Sequence, residues 1–223
     1  MLFPEKITSI RLRDRVLEIG PGSSPHPRSD AFLELDFDTR QEGISQRGGV
    51  LKEADFGGRP VHYYKGGAFP FEDRQFDYVI CAQVVEHVVD PTSFLEEVFR
   101  VGAGRGYLEY PLITYEYLYD FDVHLHFVKL DLEKRVLRYL PKRDTAFPQF
   151  AAVSSLFQKT LKCGWDDLCA ANHGLFFEGV EFDQPFAVEK TNDLEQLLPS
   201  RSLIVPKSAA RRALGRIVNR LRL

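Results

Sequence analysis

Asp120, Asp122, His124 and His126 alternate along the segment DFDVHLH. In an extended chain, residues two apart project to the same side, so two carboxylates and two imidazoles would share one face. Such a face can bind a divalent metal, or it can form a base with its orienting acid. A polar strand face with ordinary hydrogen bonds is the plainer reading, because collinear strand residues seldom wrap a metal by themselves. A third histidine, His87, follows Glu86 in VVEHV. An unperturbed imidazole titrates at about 6.5 and needs little tuning to take a proton. His87, His124 and His126 are therefore the candidate catalytic residues, with packing as the alternative role for a histidine beside aliphatic side chains on a helix.

A second constellation lies near the start of the chain. The run Val16 to Ile19 is apolar apart from Glu18 and leads into Gly20-Pro21-Gly22. This pattern predicts a buried strand that breaks into a tight turn, where missing Cβ atoms let a ligand lie against the backbone. The next strand, Phe32-Leu33-Glu34-Leu35-Asp36, ends in acids. A carboxylate at that point can accept two hydrogen bonds from the paired hydroxyls of a ribose. Glu34 is the first candidate and Asp36, on the same side two residues on, the second; a solvated strand end is the alternative.

These residues need elements to position them. VHYY from Val61 and FDYVICA from Phe76 predict further strands, the latter apolar throughout as for a central parallel strand buried on both faces. Gln83 follows it directly, to contact a ligand or to bond at a helix entry. Asp90-Pro91 predicts a capped helix start, with Phe94, Leu95, Val98 and Val101 turned to the sheet and Glu96, Glu97 and Arg100 facing away. RGYLEYP from Arg105 predicts a fifth strand. After it comes an aromatic loop bearing Tyr115, Tyr117, Tyr119 and Phe121, then a β-hairpin over Phe127 to Lys142 with its turn near Leu132 to Lys134. A helix over Val153 to Lys162, ended by Gly164, and closing strands over Phe176 to Phe182 and Phe186 to Lys190 complete the pattern. Between Gly22 and Phe32, Pro25 and Pro27 interrupt a stretch too short for a helix. The same stretch argues against a nicotinamide-dinucleotide site, which needs a helix there and an acid about 20 residues on.

Further motifs join this order. Phe69-Pro70-Phe71-Glu72-Asp73, then Phe76-Asp77, then Val85-Glu86-His87-Val88 stand in sequence after the glycine turn and the acidic strand end. Together they resemble the class I S-adenosylmethionine-dependent methyltransferases, in the branch whose motifs read LPF-x-D-x-x-FD and LEHV. The resemblance covers Arg15 to Pro111. It implies a Rossmann-like α/β sheet, mostly parallel with an antiparallel edge formed by the closing strands, here lacking the usual first helix and carrying an inserted β-hairpin. It implies S-adenosyl-L-methionine as cofactor, with Glu18, Gly20, Pro21 and Gly22 at its methionine end, Glu34 and Asp36 at the ribose, and Gln83 facing the sulfonium. Lys65 stands where the family usually places an acid for the adenine amino group, and a lysine cannot accept that hydrogen bond. Gly66, Ala68 and Phe71 are the alternative adenine contacts.

With 44% hydrophobic and 27% charged residues, the composition is that of an ordinary soluble domain. One methyltransferase domain is expected over residues 1–206, with 115–145 as a substrate-side elaboration. Residues 207–223 predict a basic amphipathic helix, with Leu214, Ile217, Val218 and Leu221 opposite Arg211, Arg212, Arg216, Arg220 and Arg222. It can pack on the protein itself or make peripheral contact with an anionic membrane. The N-terminus lacks the layout of a secretory signal and no apolar run reaches the roughly 20 residues of a membrane span, so a cytoplasmic location is expected. Three cysteines without a Cys-x-x-Cys pair suggest neither a disulfide framework nor a structural zinc, and no metal is assigned. A net charge of −3 argues against nucleic acid. The expected activity is methyl transfer to a small-molecule, sugar or lipid-linked acceptor. The alternatives are a non-catalytic cofactor-binding module of the same fold and a metal-dependent hydrolase using Asp120, Asp122, His124 and His126.

Overall fold

The computed structural model describes residues 1–46, 55–161, 163 and 166–199. Six strands form the main sheet: β1 (Val16–Ile19), β2 (Ala31–Leu35), β3 (Val61–Tyr64), β4 (Tyr78–Ala82), β5 (Gly106–Pro111) and β8 (Phe177–Phe182). Their order is β3-β2-β1-β4-β5-β8, all parallel except β8, which runs antiparallel to β5 at the edge. This is the expected α/β architecture. β1, β4 and β5 are buried almost throughout because apolar side chains cover both faces. Strand order reverses between β1 and β4, which opens a crevice beyond their carboxyl ends.

No helix separates β1 from β2 among the described residues; turns cover 21–30, as the two prolines require. A short helix, α1 (Arg40–Gln46), follows β2. The helix α2 (Pro91–Val101) begins where Asp90 accepts hydrogen bonds from the backbone N–H groups of Thr92 and Ser93. It buries Phe94, Leu95, Val98 and Val101 against the sheet. Glu97 and Arg100 do not simply face water. Both reach the loop before β4, where Glu97 accepts from the Phe69 N–H at 2.6 Å and Arg100 donates to the Phe71 carbonyl at 2.8 Å.

The predicted hairpin is present as β6 (His126–Asp131) and β7 (Val136–Pro141), with turns between them. The partner of the last strand differs from expectation. β9 (Ala187–Lys190) does not pair with β8 but runs parallel to β7, making a second three-stranded sheet. Val128, Leu130 and Leu137 of this sheet join one core with β5 and α2, so burial behind the main sheet holds the pairing. Lys129 and Tyr110 both bond to Glu178, tying the two sheets together.

The aromatic stretch after β5 is a helix rather than a loop. This helix, α3 (Ile113–Tyr119), packs with α4 (Ala151–Thr160), α5 (Asp166–Ala171) and α6 (His173–Phe176). Tyr119, Cys169 and Phe176 form a satellite core there with Tyr115, Phe121 and Phe157. The predicted Lys162 and Gly164 end of the fourth helix and the whole of 207–223 lie outside the described residues. All three cysteines are free, and no helix among the described residues is long and apolar enough to cross a membrane.

Candidate active site

The glycine turn after β1 is built around Glu18. Its carboxylate, almost fully buried, accepts from the His26 N–H at 2.8 Å and from the Ser29 hydroxyl at 2.7 Å. Burial nonetheless outweighs these bonds and raises its pKa. Gly20 and Gly22 both adopt the left-handed region, with φ of +59° and +60°. A Cβ on Gly20 would lie 2.8 Å from Val84 Cγ2, whereas one on Gly22 would enter open space.

A cavity of about 1130 Å³ lies beyond the carboxyl ends of β1 to β4. Glu18, Gly20, Pro21, Gly22, Glu34, Gly66, Ala68 and Gln83 all line it. Glu34 is buried at the end of β2. Two sequence candidates stand apart. Asp36 does not line the cavity; it lies one residue past the strand end and approaches Lys65 at 3.7 Å in a solvent-exposed pair. Phe71 does not line it either, because its ring packs edge-on against Phe76 and His62 in the core. Lys65 itself is on the cavity wall, beside the positive-φ glycines Gly66 and Gly67. Gln83 has a φ of +59°, a conformation that costs a side-chain-bearing residue about 1–2 kcal/mol. Its backbone N–H donates to the Glu109 carbonyl at 2.8 Å and its side-chain amide to the Glu109 carboxylate at 3.2 Å. The same carboxylate accepts the N–H groups of Leu2 and Phe3, which brings Met1 to the cavity wall.

His87 and His124 face the same cavity, with Tyr115, Phe121 and Phe177 around them. Their rings meet edge-on with centroids 4.6 Å apart. Contrary to the LEHV expectation, residues 85–87 form a turn and not a helix; α2 starts only at Pro91. His124 Nδ1 is 2.6 Å from Oε1 of Glu116, a fully buried acid on α3. Lys142 holds the other oxygen of Glu116 at 2.5 Å and Asp120 at 3.1 Å. Burial disfavours the charged ring of His124, but the hydrogen bond and charge of Glu116, with the charge of Glu86, outweigh it and raise its pKa. His87 has burial and the nearby His124 working together, and its pKa falls to about 3. Burial pushes the carboxyl of Glu86 up to about 7.

The alternation of Asp120, Asp122, His124 and His126 does not produce a shared face. A turn at Asp122-Val123 breaks the extended run, and the strand begins only at His126. Asp120 goes to Lys142, Asp122 is exposed, His124 goes to Glu116, and His126 Nε2 bonds the Val88 carbonyl at 2.9 Å. His126 is buried against Tyr139 and does not line the cavity. The four-residue metal set and the hydrolase built on it are thereby overturned. Glu116 and Lys142, which the sequence does not single out, fix the site instead, together with Glu109 near the end of the predicted fifth strand. Glu116 carries one local signal, an acid at a spacing of three between Ile113 and Tyr119 that all turn inward.

One family model matches an early part of the chain. Residues 17–109 match the family model described as a methyltransferase domain. This stretch is similar to methyltransferase domains, and the match implies S-adenosyl-L-methionine as its cofactor. It takes in the glycine turn, Glu34, Gln83 and His87 and ends at Glu109, before His124. Among solved structures, the chain is similar to a methyltransferase from Thermotoga maritima described as a possible histamine N-methyltransferase, at 21% identity over 50% of each chain with a TM-score of 0.34. It is also similar to a methyltransferase from Aquifex aeolicus, at 19% identity over 48% of this chain and 62% of that one, TM-score 0.30. A third, from Methanosarcina mazei, shows 21% identity over 56% and 69%, TM-score 0.32. The chain thus spans half the length of the Thermotoga protein. Comparison with the curated proteins finds no match.

Proposed function

We propose that the chain transfers a methyl group from S-adenosylmethionine to a hydroxyl of a small-molecule, sugar or lipid-linked acceptor. The observation that carries this reading is one continuous cavity joining the glycine turn to the His87–His124 pair. Its volume, about 1130 Å³, exceeds the roughly 300–1,000 Å³ of a typical single-ligand pocket, so cofactor and acceptor have room together.

The residues present suit the cofactor. The space beside Gly22 that a Cβ would fill admits the methionine end against bare backbone, and the buried acid Glu34 suits the ribose hydroxyls. Gly66 to Ala68 offer backbone groups to the adenine where Lys65 offers no acceptor. When bound, S-adenosylmethionine supplies an activated methyl on a cationic sulfur. What the protein must add is orientation and removal of one proton. His124 suits the second of these, because Glu116 occupies Nδ1 and leaves Nε2 to accept the proton, in the manner of an acid-oriented base. Tyr115, Phe121 and Phe177 wall the acceptor end against water.

Calorimetric titration with S-adenosylmethionine and S-adenosylhomocysteine, followed by transfer of a labelled methyl to a panel of hydroxylated acceptors, tests the proposal. Micromolar binding and label in an ether product are expected. Absence of binding at millimolar cofactor overturns it.

A further inference from the structure

Glu86 has no exposed surface, and neither of its carboxylate oxygens accepts a hydrogen bond from another described residue. A carboxylate buried in that way is costly unless something positive meets it. Nε2 of His87 approaches its Oε1 at 3.8 Å. One ligand atom each from Glu86, His87 and His124 lie within 4.8 Å of one another, and the two histidines line the cavity. Atoms that ligate one first-row metal at about 2.0–2.2 Å sit roughly 3–4 Å apart, so sub-ångström shifts would close the group around an ion.

We propose that Glu86, His87 and His124 form a binding site for one divalent transition-metal cation that faces the acceptor end of the cavity. The surroundings of the two rings support it. Metal-ligating histidines commonly spend their second nitrogen on a carboxylate or a backbone group, which fixes the ring and aims the other nitrogen at the ion. His124 spends Nδ1 on Glu116, and His87 hydrogen-bonds to the backbone of Val123. Among the described residues the local charge is also unbalanced: Glu116 and Asp120 share the ammonium of Lys142, and Glu86 adds a third carboxyl group beside the two rings. A dication offsets this excess. Two imidazoles and one carboxylate suit manganese, iron, cobalt, nickel or zinc, whereas calcium and magnesium prefer all-oxygen shells. Three protein ligands leave positions open toward the cavity, where a water or an acceptor oxygen completes the shell. The inference rests on the methyl-transfer reading only in that last respect; there the ion would lower the pKa of the acceptor hydroxyl, and the proton would pass to solvent at the cavity mouth in place of His124.

The test uses full-length protein stripped with a chelator, in a Cys163→Ser background that removes the exposed thiol, and no cofactor. Zinc chloride titrated by calorimetry should bind at one site per chain with micromolar affinity or tighter. His124→Gln and Glu86→Gln should each weaken binding at least tenfold, while His173→Gln, away from the cavity, leaves it unchanged. Manganese bound to the otherwise unaltered protein should show couplings to two imidazole nitrogens by pulsed paramagnetic resonance, a readout that survives if a buried variant fails to fold. No binding at millimolar zinc, affinity unaltered in His124→Gln, or a manganese signal without nitrogen coupling each overturns the site. Because no cofactor is present, failure here leaves methyl transfer standing, and failure of methyl transfer leaves zinc binding to be judged separately.

Discussion

Arg100 grips Glu97 with two hydrogen bonds, Nε to Oε1 at 2.7 Å and Nη2 to Oε2 at 2.6 Å. The pair is also a clamp on the backbone of Phe69 and Phe71, with Asp73 held from the same guanidinium. This explains physically what the FPFED motif is for: it turns the chain sharply so that Gly66 to Ala68 stay on the cavity wall while Phe69, Phe71 and Phe76 enter the core. Arg100→Leu should therefore lower Tm, by about 2–3 kcal/mol of stability for charge-assisted bonds that are partly shielded, and weaken cofactor binding as a secondary effect. Thermal melts and calorimetry check both. Arg100→Lys, which cannot make the fork, should recover only part.

The same clamp has a pH signature. The hydrogen bond and charge of Arg100 hold the Glu97 carboxyl below its ordinary range. A carboxyl with a depressed folded-state pKa adds stability above its unfolded value of about 4.3, and that stability is lost as pH falls through the folded value. Melting of the natural protein should lose stability more steeply below pH 5 than melting of Glu97→Gln. Parallel acid profiles for the two would remove the electrostatic account of this loop.

The two glycines of the turn should separate folding from binding. Gly20→Ala meets Val84 as well as a left-handed backbone, so it should destabilise the fold by more than the roughly 1–2 kcal/mol of backbone strain alone. Gly22→Ala carries that strain without a clash, at a residue that lines the cavity. It should cost less stability and at least tenfold in cofactor affinity. Differential scanning and calorimetry on the two variants would show the reversed ranking.

Much of this arrangement is legible from residue order. The strands β1 to β5 are short, apolar and bounded by Gly, Pro or Asp, and Asp90-Pro91 marks the start of α2 without ambiguity, because capping is a local property. What is not local escapes. Ile113 to Tyr119 contains β-branched and aromatic residues that lose side-chain freedom in a helix, so its helical form follows from packing on Phe176 and Cys169, distant in sequence. β9 has the pattern of an edge strand beside β8, yet the hairpin core claims it, a choice made by burial of Leu137 and Phe186 together. The histidine face fails for a related reason. Period two holds only if the chain is straight, and Asp122-Val123 turns.

At the ribose position, Glu34 and Asp36 look alike in sequence and differ in surroundings. Glu34 is buried on the cavity wall; Asp36 is half-exposed beside Lys65. An exposed pair of this kind contributes at most about 1 kcal/mol. Asp36→Asn should leave cofactor affinity within threefold, whereas Glu34→Gln should weaken it tenfold or more, since an amide offers the ribose hydroxyls one acceptor oxygen in place of two. Equal effects would place the ribose nearer to Lys65 than the cavity geometry suggests.

His124 and His126, two residues apart, should fail in opposite ways. His126 bonds the Val88 carbonyl from inside the core, so His126→Ala strands a buried acceptor and should destabilise by about 1–3 kcal/mol, with turnover per folded molecule kept. His124 touches the cavity through one nitrogen and Glu116 through the other. His124→Gln should cut kcat by about 10²–10⁴ if the ring is the group that handles the acceptor's proton, and leave S-adenosylmethionine affinity within threefold. Glu116→Gln should follow it with a smaller loss in kcat, since the ring keeps a hydrogen-bonding partner but loses the charge that favours its protonated form. Steady-state kinetics alongside cofactor titrations separate these effects. A kcat that survives His124→Gln would move proton removal away from this ring and leave Glu116 as a purely structural acid.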